Sequence, residues 1–183
     1  MALALALTLG LALALVATRV QQPADASAFS TGTWSYTTWE KGTKTQPLAQ
    51  FAPFHITVYA PVACASRCGP FATSGFPVYL FSTGFAGQLA QDLYGELLVG
   101  LVRQGIILVV VDQDIGLRVT QNYRKLGAAL QTVVGYIYDT TPSGLAADLV
   151  ANGVTQPMLM PSGKIFFGGH SSGSHIVLEY VNQ

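Results

Sequence analysis

The chain has 183 residues, of which half are apolar and only a tenth charged, with nine basic residues balancing nine acidic ones. That length makes one domain-sized globular unit or part of a larger one. The even charge leaves no electrostatic case for nucleic acid or for an acidic partner.

Residues 2–17 form an uncharged run of Ala, Leu, Thr, Gly and Val. A membrane helix needs about twenty apolar residues, whereas a secretory signal needs fewer and is followed by small residues where it is cut. Ala24-Asp25-Ala26 and Ala26-Ser27-Ala28 offer such residues, so residues 1–26 are expected to be a cleaved signal peptide and the mature chain to begin near Ser27 or Phe29. No Lys or Arg precedes the run, which keeps a retained anchor as an alternative. Ala26-Ser27-Ala28-Phe29 also resembles the junction of two-part plastid-targeting leaders, so plastid import stands as an alternative to secretion.

Residues 33–40 and 54–59 are rich in β-branched and aromatic side chains and alternate loosely, which predicts two strands divided by a polar loop. Trp34 and Trp39 in the first of them are expected to pack, and His55 in the second to be an ordinary surface or partly buried residue. Cys64 and Cys68 follow in a short run closed by Gly69-Pro70. In an oxidising compartment they are read as a small disulfide loop, with two free thiols as the alternative. No further ligand stands nearby, so neither a metal nor a cofactor is expected.

Residues 76–82 are an apolar run that breaks into Thr83-Gly84-Phe85-Ala86-Gly87, a buried strand opening into a glycine loop. Leu89, Leu93, Leu97 and Leu101 then recur every fourth residue, predicting a helix over 88–104 with those leucines as its apolar stripe and Gly105 as its stop. Residues 106–111 are all β-branched or Leu, the mark of a strand covered on both faces of a parallel sheet. Asp112 and Asp114 beyond it are read as turn caps. From Val119 onward Tyr123, Leu126, Leu130, Val133 and Ile137 repeat at helical spacing. A short helix capped by Ser143 and closed by Gly153 is expected before the next strand, at residues 165–167.

That strand runs into Gly169-His170-Ser171-Ser172-Gly173, a G-x-S-x-G pattern followed by a helix. A serine on such a turn is pushed out at the carboxyl end of a sheet, beside backbone N–H groups able to hold an oxyanion. The order of elements, with hairpin-like strands giving way to strand–helix alternation, predicts an α/β fold: a mixed, mostly parallel sheet with helices on both faces.

Residues 76–85, the helix and the 105–111 strand behind them, and the 169–173 turn follow one another as in α/β-hydrolases, and more narrowly resemble the chlorophyllase-like branch. The resemblance spans about 54–181 and implies a serine carboxylic-ester hydrolase acting on a hydrophobic ester. Ser171 matches the nucleophile, and the backbone N–H groups of Phe85 and Ser172 match the oxyanion donors. Thr83 stands where the family usually has His. No acid and His follow Ser171 before Gln183, although the fold places them there in that order. His170 and His175 flank the serine without a carboxylate of their own to orient them.

Residues 27–183 are therefore read as a partial α/β-hydrolase domain, truncated after the nucleophile elbow and close to inert as it stands. The alternative is an inactive relative that binds a ligand or partner in the same cleft. The expected partner is a hydrophobic ester, met in solution or at a lipid surface. Oligomeric state is left open, and an open edge at the 165–167 strand is expected to make the chain aggregate or stay partly molten.

Overall fold

The computed structural model describes residues 34–41, 51, 54–64, 75–84, 90–113, 122–154, 158–159 and 165–183. The leader, Cys68, Phe85, Leu89 and Asp114 lie outside these residues.

Strand β1 (Trp34–Lys41) pairs antiparallel with β2 (Phe54–Cys64), so the first two predicted strands form a two-stranded ribbon. β2 in turn lies antiparallel to β4 (Ile107–Gln113), and β3 (Phe76–Ser82) runs parallel to β4 on its other side. The far edge of β3 is shared by two short parallel partners: β5 (Met158–Leu159) opposite Phe76 and Pro77, and β6 (Phe166–Gly169) opposite Tyr79 to Ser82. The order across the sheet is β1-β2-β4-β3, with β5 and β6 beyond.

β4 shows why an unbroken apolar run is needed at the centre. Ile107, Val109 and Val111 join Ile56, Val58, Val78 and Leu80 in one core, while Leu108 and Val110 turn to the opposite face with Tyr59 and Phe81. Helices α2 (Tyr123–Tyr138), α3 (Leu145–Ala151) and α4 (Ser172–Val181) cover the first face with Leu126, Leu130, Ile137, Leu149 and Ile176. Helix α1 (Ala90–Arg103) covers the second face with Leu98 and Val102. Burying a side chain of this size contributes about 1.5–3 kcal/mol, so the two apolar layers hold the sheet between them.

The fold is the expected α/β arrangement, with differences in detail. On α1 the leucine stripe is not the buried face: Leu93 and Leu97 are 59% and 53% exposed, whereas Leu98 and Val102 are fully buried. Every fourth residue advances about 40° around a helix of 3.6 residues per turn, so a stripe at that spacing drifts off the core. Of its described leucines only Leu101, at its end, reaches the packed side. Gly105 and Gly153 do follow their helices at positive φ, as stop residues should.

Ser143 does not cap α3. Gly144 holds that position without a side-chain bond, and the Ser143 N–H goes to Thr141 Oγ1 in a turn started by Asp139. The side chain of Asn122 caps α2 by accepting the Lys125 N–H. β5 carries no pattern of its own and was not expected. Trp34 packs edge-on against Phe76 with ring centroids 4.8 Å apart. His55 is not a surface residue, being only 4% exposed.

Candidate active site

β6 ends at Gly169 and α4 begins at Ser172, so His170 and Ser171 make the whole reversal between them. Ser171 sits at φ 53° and ψ −123°, the one non-glycine residue at positive φ among the described residues. Such a conformation costs about 1–3 kcal/mol and persists only where its surroundings impose it. Two close approaches impose it here. A Cβ on Gly169 would stand 2.6 Å from the carbonyl carbon of Gly173, and one on Gly173 would stand 2.1 Å from the carbonyl oxygen of Ser82. Strand, helix and the end of β3 thus meet closer than any side chain allows.

Hydrogen bonds fix the turn from both sides. The His170 N–H donates to the Ser82 carbonyl at 3.1 Å, the Gly173 N–H to that of His170 at 2.9 Å, and the Ser174 N–H to that of Ser171 at 3.0 Å. Ser174 Oγ donates back to the Gly169 carbonyl at 2.7 Å. Ser171 is left exposed at the carboxyl end of the sheet and at the N-terminus of the ten-residue helix α4. The helix dipole makes that position favourable to negative charge.

β3 brings a second backbone segment to the same place. Gly84 lies against the turn: a Cβ built on it would be 3.3 Å from Ser171 Cβ and 3.1 Å from His170 Nδ1. Thr83 is fully buried, and its hydroxyl donates to Asp112 Oδ1 at 2.7 Å. Asp112 is therefore a tie between β4 and the loop after β3, rather than a cap on the turn that follows it. Ser172 is buried, its Oγ within 3.1 Å of Gln113 Nε2.

Two of the histidines are engaged with tyrosines. His170 Nδ1 shares a 2.7 Å hydrogen bond with the Tyr94 hydroxyl, which also accepts from the Gly84 N–H at 3.4 Å. The ring of His175 lies against Tyr123 with centroids 5.2 Å apart. His55 is buried on β2 beside Asp112, its cross-strand partner. Among the described residues no group of three or more His, Cys, Asp or Glu could hold a metal ion.

Of the residues singled out from the sequence, Ser171 and Ser172 stand together at the turn, with Thr83 and Gly84 packed beside them. Phe85 and Cys68 lie outside the described residues, and Cys64 ends β2 on the antiparallel side of the sheet. Sequence reasoning passed over Tyr94 and Gln113, and it misread Asp112. Tyr94 sits one position from the leucine stripe that drew attention on α1, and Gln113 closes a strand whose apolar signal ends two residues earlier.

No family model matches the chain, and no curated protein matches it. Among solved structures it is similar to a ferulic acid esterase from Streptomyces cinnamoneus, with a TM-score of 0.47 and 14% identity over 84% of this chain. The chain spans 56% of the length of that structure, and the activity in its name is said of that enzyme alone.

Proposed function

We propose that the chain is the nucleophile-bearing part of a serine carboxylic-ester hydrolase, with Ser171 as the nucleophile. The observation that carries this reading is the strained Ser171 backbone, held at positive φ between a strand and a helix by glycines on either side. A linking loop has no reason to hold a serine there, whereas a nucleophile gains exposure and a helix N-terminus at its back.

In the reaction, Ser171 Oγ bonds to the ester carbonyl carbon as its proton passes to a base, and the carbonyl becomes an oxyanion. The backbone N–H of Ser172 and that of Phe85 are the proposed donors to it, stabilising charge only as it develops. The tetrahedral adduct collapses, the alcohol leaves with the proton, and water releases the acyl group by the reverse sequence. The base and its orienting acid are assigned to groups other than His170 and His175, since His170 is given over to Tyr94 and His175 to Tyr123. Loss of the base from such a triad costs about a million-fold in turnover, so the chain without one is close to inert.

The substrate class we propose is a hydrophobic ester, chlorophyllase-like or lipase-like, met after export through the secretory pathway. The same engagement of the histidines favours a second reading, an inactive relative that binds a ligand or partner in the cleft. Labelling with a fluorophosphonate at high concentration and long exposure separates the two, because an oxyanion site keeps a residual rate of about 10³–10⁴ over water even where the base is lost. A hydrolase labels at Ser171 and loses the label in Ser171→Ala; an intact fold that takes no label at that position sinks the enzyme reading.

A further inference from the structure

Thr83 is held by all three of its polar groups, and every partner comes from the last three residues of β4. Its N–H donates to the Val111 carbonyl at 3.0 Å, its hydroxyl to Asp112 Oδ1 at 2.7 Å, and its carbonyl accepts from Gln113 Nε2 at 3.3 Å. Gln113 Nε2 also reaches Ser172 Oγ at 3.1 Å, which joins the loop after β3 to the first residue of α4. Thr83 and Asp112 are 0% and 5% exposed, so the bond between them forms away from water, where a polar group left unpaired costs most.

Behind Asp112 stands His55, its register partner on β2, with Nδ1 4.0 Å from Asp112 Oδ2 and Nε2 3.4 Å from Glu40 Oε2. Neither contact has hydrogen-bond geometry, so His55 backs the carboxylate by contact and not by a bond. The next residue after Thr83 is Gly84, packed against Ser171 Cβ and His170 Nδ1.

We infer that Asp112 and Gln113 are positioning residues: with the Val111 carbonyl they form a clamp that sets where the Thr83–Gly84 segment crosses Ser171. This rests on the ester-hydrolase reading for its catalytic meaning, while the clamp itself is a matter of structure. It also accounts for a threonine at position 83. A hydroxyl on a short β-branched stem donates to Asp112 while the backbone keeps its two other bonds, and valine copies the shape without the donor.

The test uses the full 183-residue chain and two readouts. Peptide-level hydrogen exchange across Thr83 and Gly84 should speed up about tenfold in Thr83→Val, the scale of one lost buried hydrogen bond, and Thr83→Ser should restore it. Gln113→Ala should loosen the same segment together with the start of α4. Long-exposure fluorophosphonate labelling of Ser171, which reads the residual base-independent rate, should slow by a similar factor in Thr83→Val and recover in Thr83→Ser, which a purely structural role would not require.

Exchange in Thr83→Val at the wild-type rate overturns the clamp, as does a Thr83→Ser variant no slower than Thr83→Val. Labelling unaffected by a segment that has loosened overturns its positioning role. A wild-type chain that takes no label even at high probe concentration and long exposure refutes the hydrolase reading separately, and exchange then decides the clamp alone.

Discussion

At the scale of single residues, the turn at Ser171 invites a test that needs no substrate. Its φ of 53° is strained for any side chain and free for glycine. Ser171→Gly should therefore stabilise the fold by about 1 kcal/mol over Ser171→Ala, even after the greater freedom of glycine in the unfolded chain is allowed for. Urea midpoints of the two variants measure this directly. Equal midpoints would mean that the serine is not held under strain. The neighbouring glycines should respond in the opposite sense. In Gly173→Ala the added methyl meets the carbonyl oxygens of Ser82 and Thr83 at 2.1 and 2.4 Å, which are backbone atoms that cannot step aside. A loss of about 3 kcal/mol or more is expected, read as a drop in urea midpoint or in soluble yield.

Among the elements, α1 separates what the sequence spells out from what it leaves to packing. Leu98→Ala should cost about 2–5 kcal/mol because Leu98 is fully buried against the sheet, while Leu93→Ala, at 59% exposure, should stay within about 0.5 kcal/mol. The sequence pattern alone ranks the two the other way, since Leu93 belongs to the regular stripe. Periodicity shows that a segment is helical, but the face that is buried depends on where the sheet lies. β3 and β4 were legible because a strand covered on both sides must be apolar throughout, and the elbow because its glycines stand in one short pattern, although only Gly169 is demanded by a contact within a few residues while Gly173 is demanded by the end of β3. Asp112, Gln113 and Tyr94 were not, because their partners lie 29, 59 and 76 residues away.

The joint of β1, α2 and α3 adds a pH dependence. Burial, reinforced by a hydrogen bond to Asp148, pushes the Tyr136 hydroxyl well above the ordinary tyrosine value of 10.0, and Lys41 pairs with the same carboxylate. Below about pH 10 the hydroxyl is neutral in both states; above it the unfolded chain ionises while the folded one does not, so stability falls as pH rises. Tyr136→Phe should flatten that fall, checked by urea midpoints in dilute solution across the alkaline range. An unchanged slope would show that the fall has another source.

For the molecule as a whole, the layers are uneven. The antiparallel end of the sheet is built on long strands and buried aromatics, whereas β6 has four residues and, among the described residues, pairs only with β3. Phe166 on β6 is 57% exposed, and Leu178 and Val181 on the following helix are 57% and 62% exposed. A strand edge with free N–H and C=O groups beside exposed apolar side chains is a template for another chain. The elbow depends on this edge, since β6 positions Ser171 and its only described ladder runs to β3. The 183-residue chain on its own should therefore associate as its concentration rises, with elbow mobility and association growing together. Phe166→Lys should weaken the association without touching the turn, because a charge at an edge opposes pairing in register. Light scattering coupled to size exclusion measures the outcome. A chain that stays monomeric at high concentration and melts in one sharp cooperative transition would mean that the edge is already protected, and that the elbow is as firmly set as the rest of the sheet.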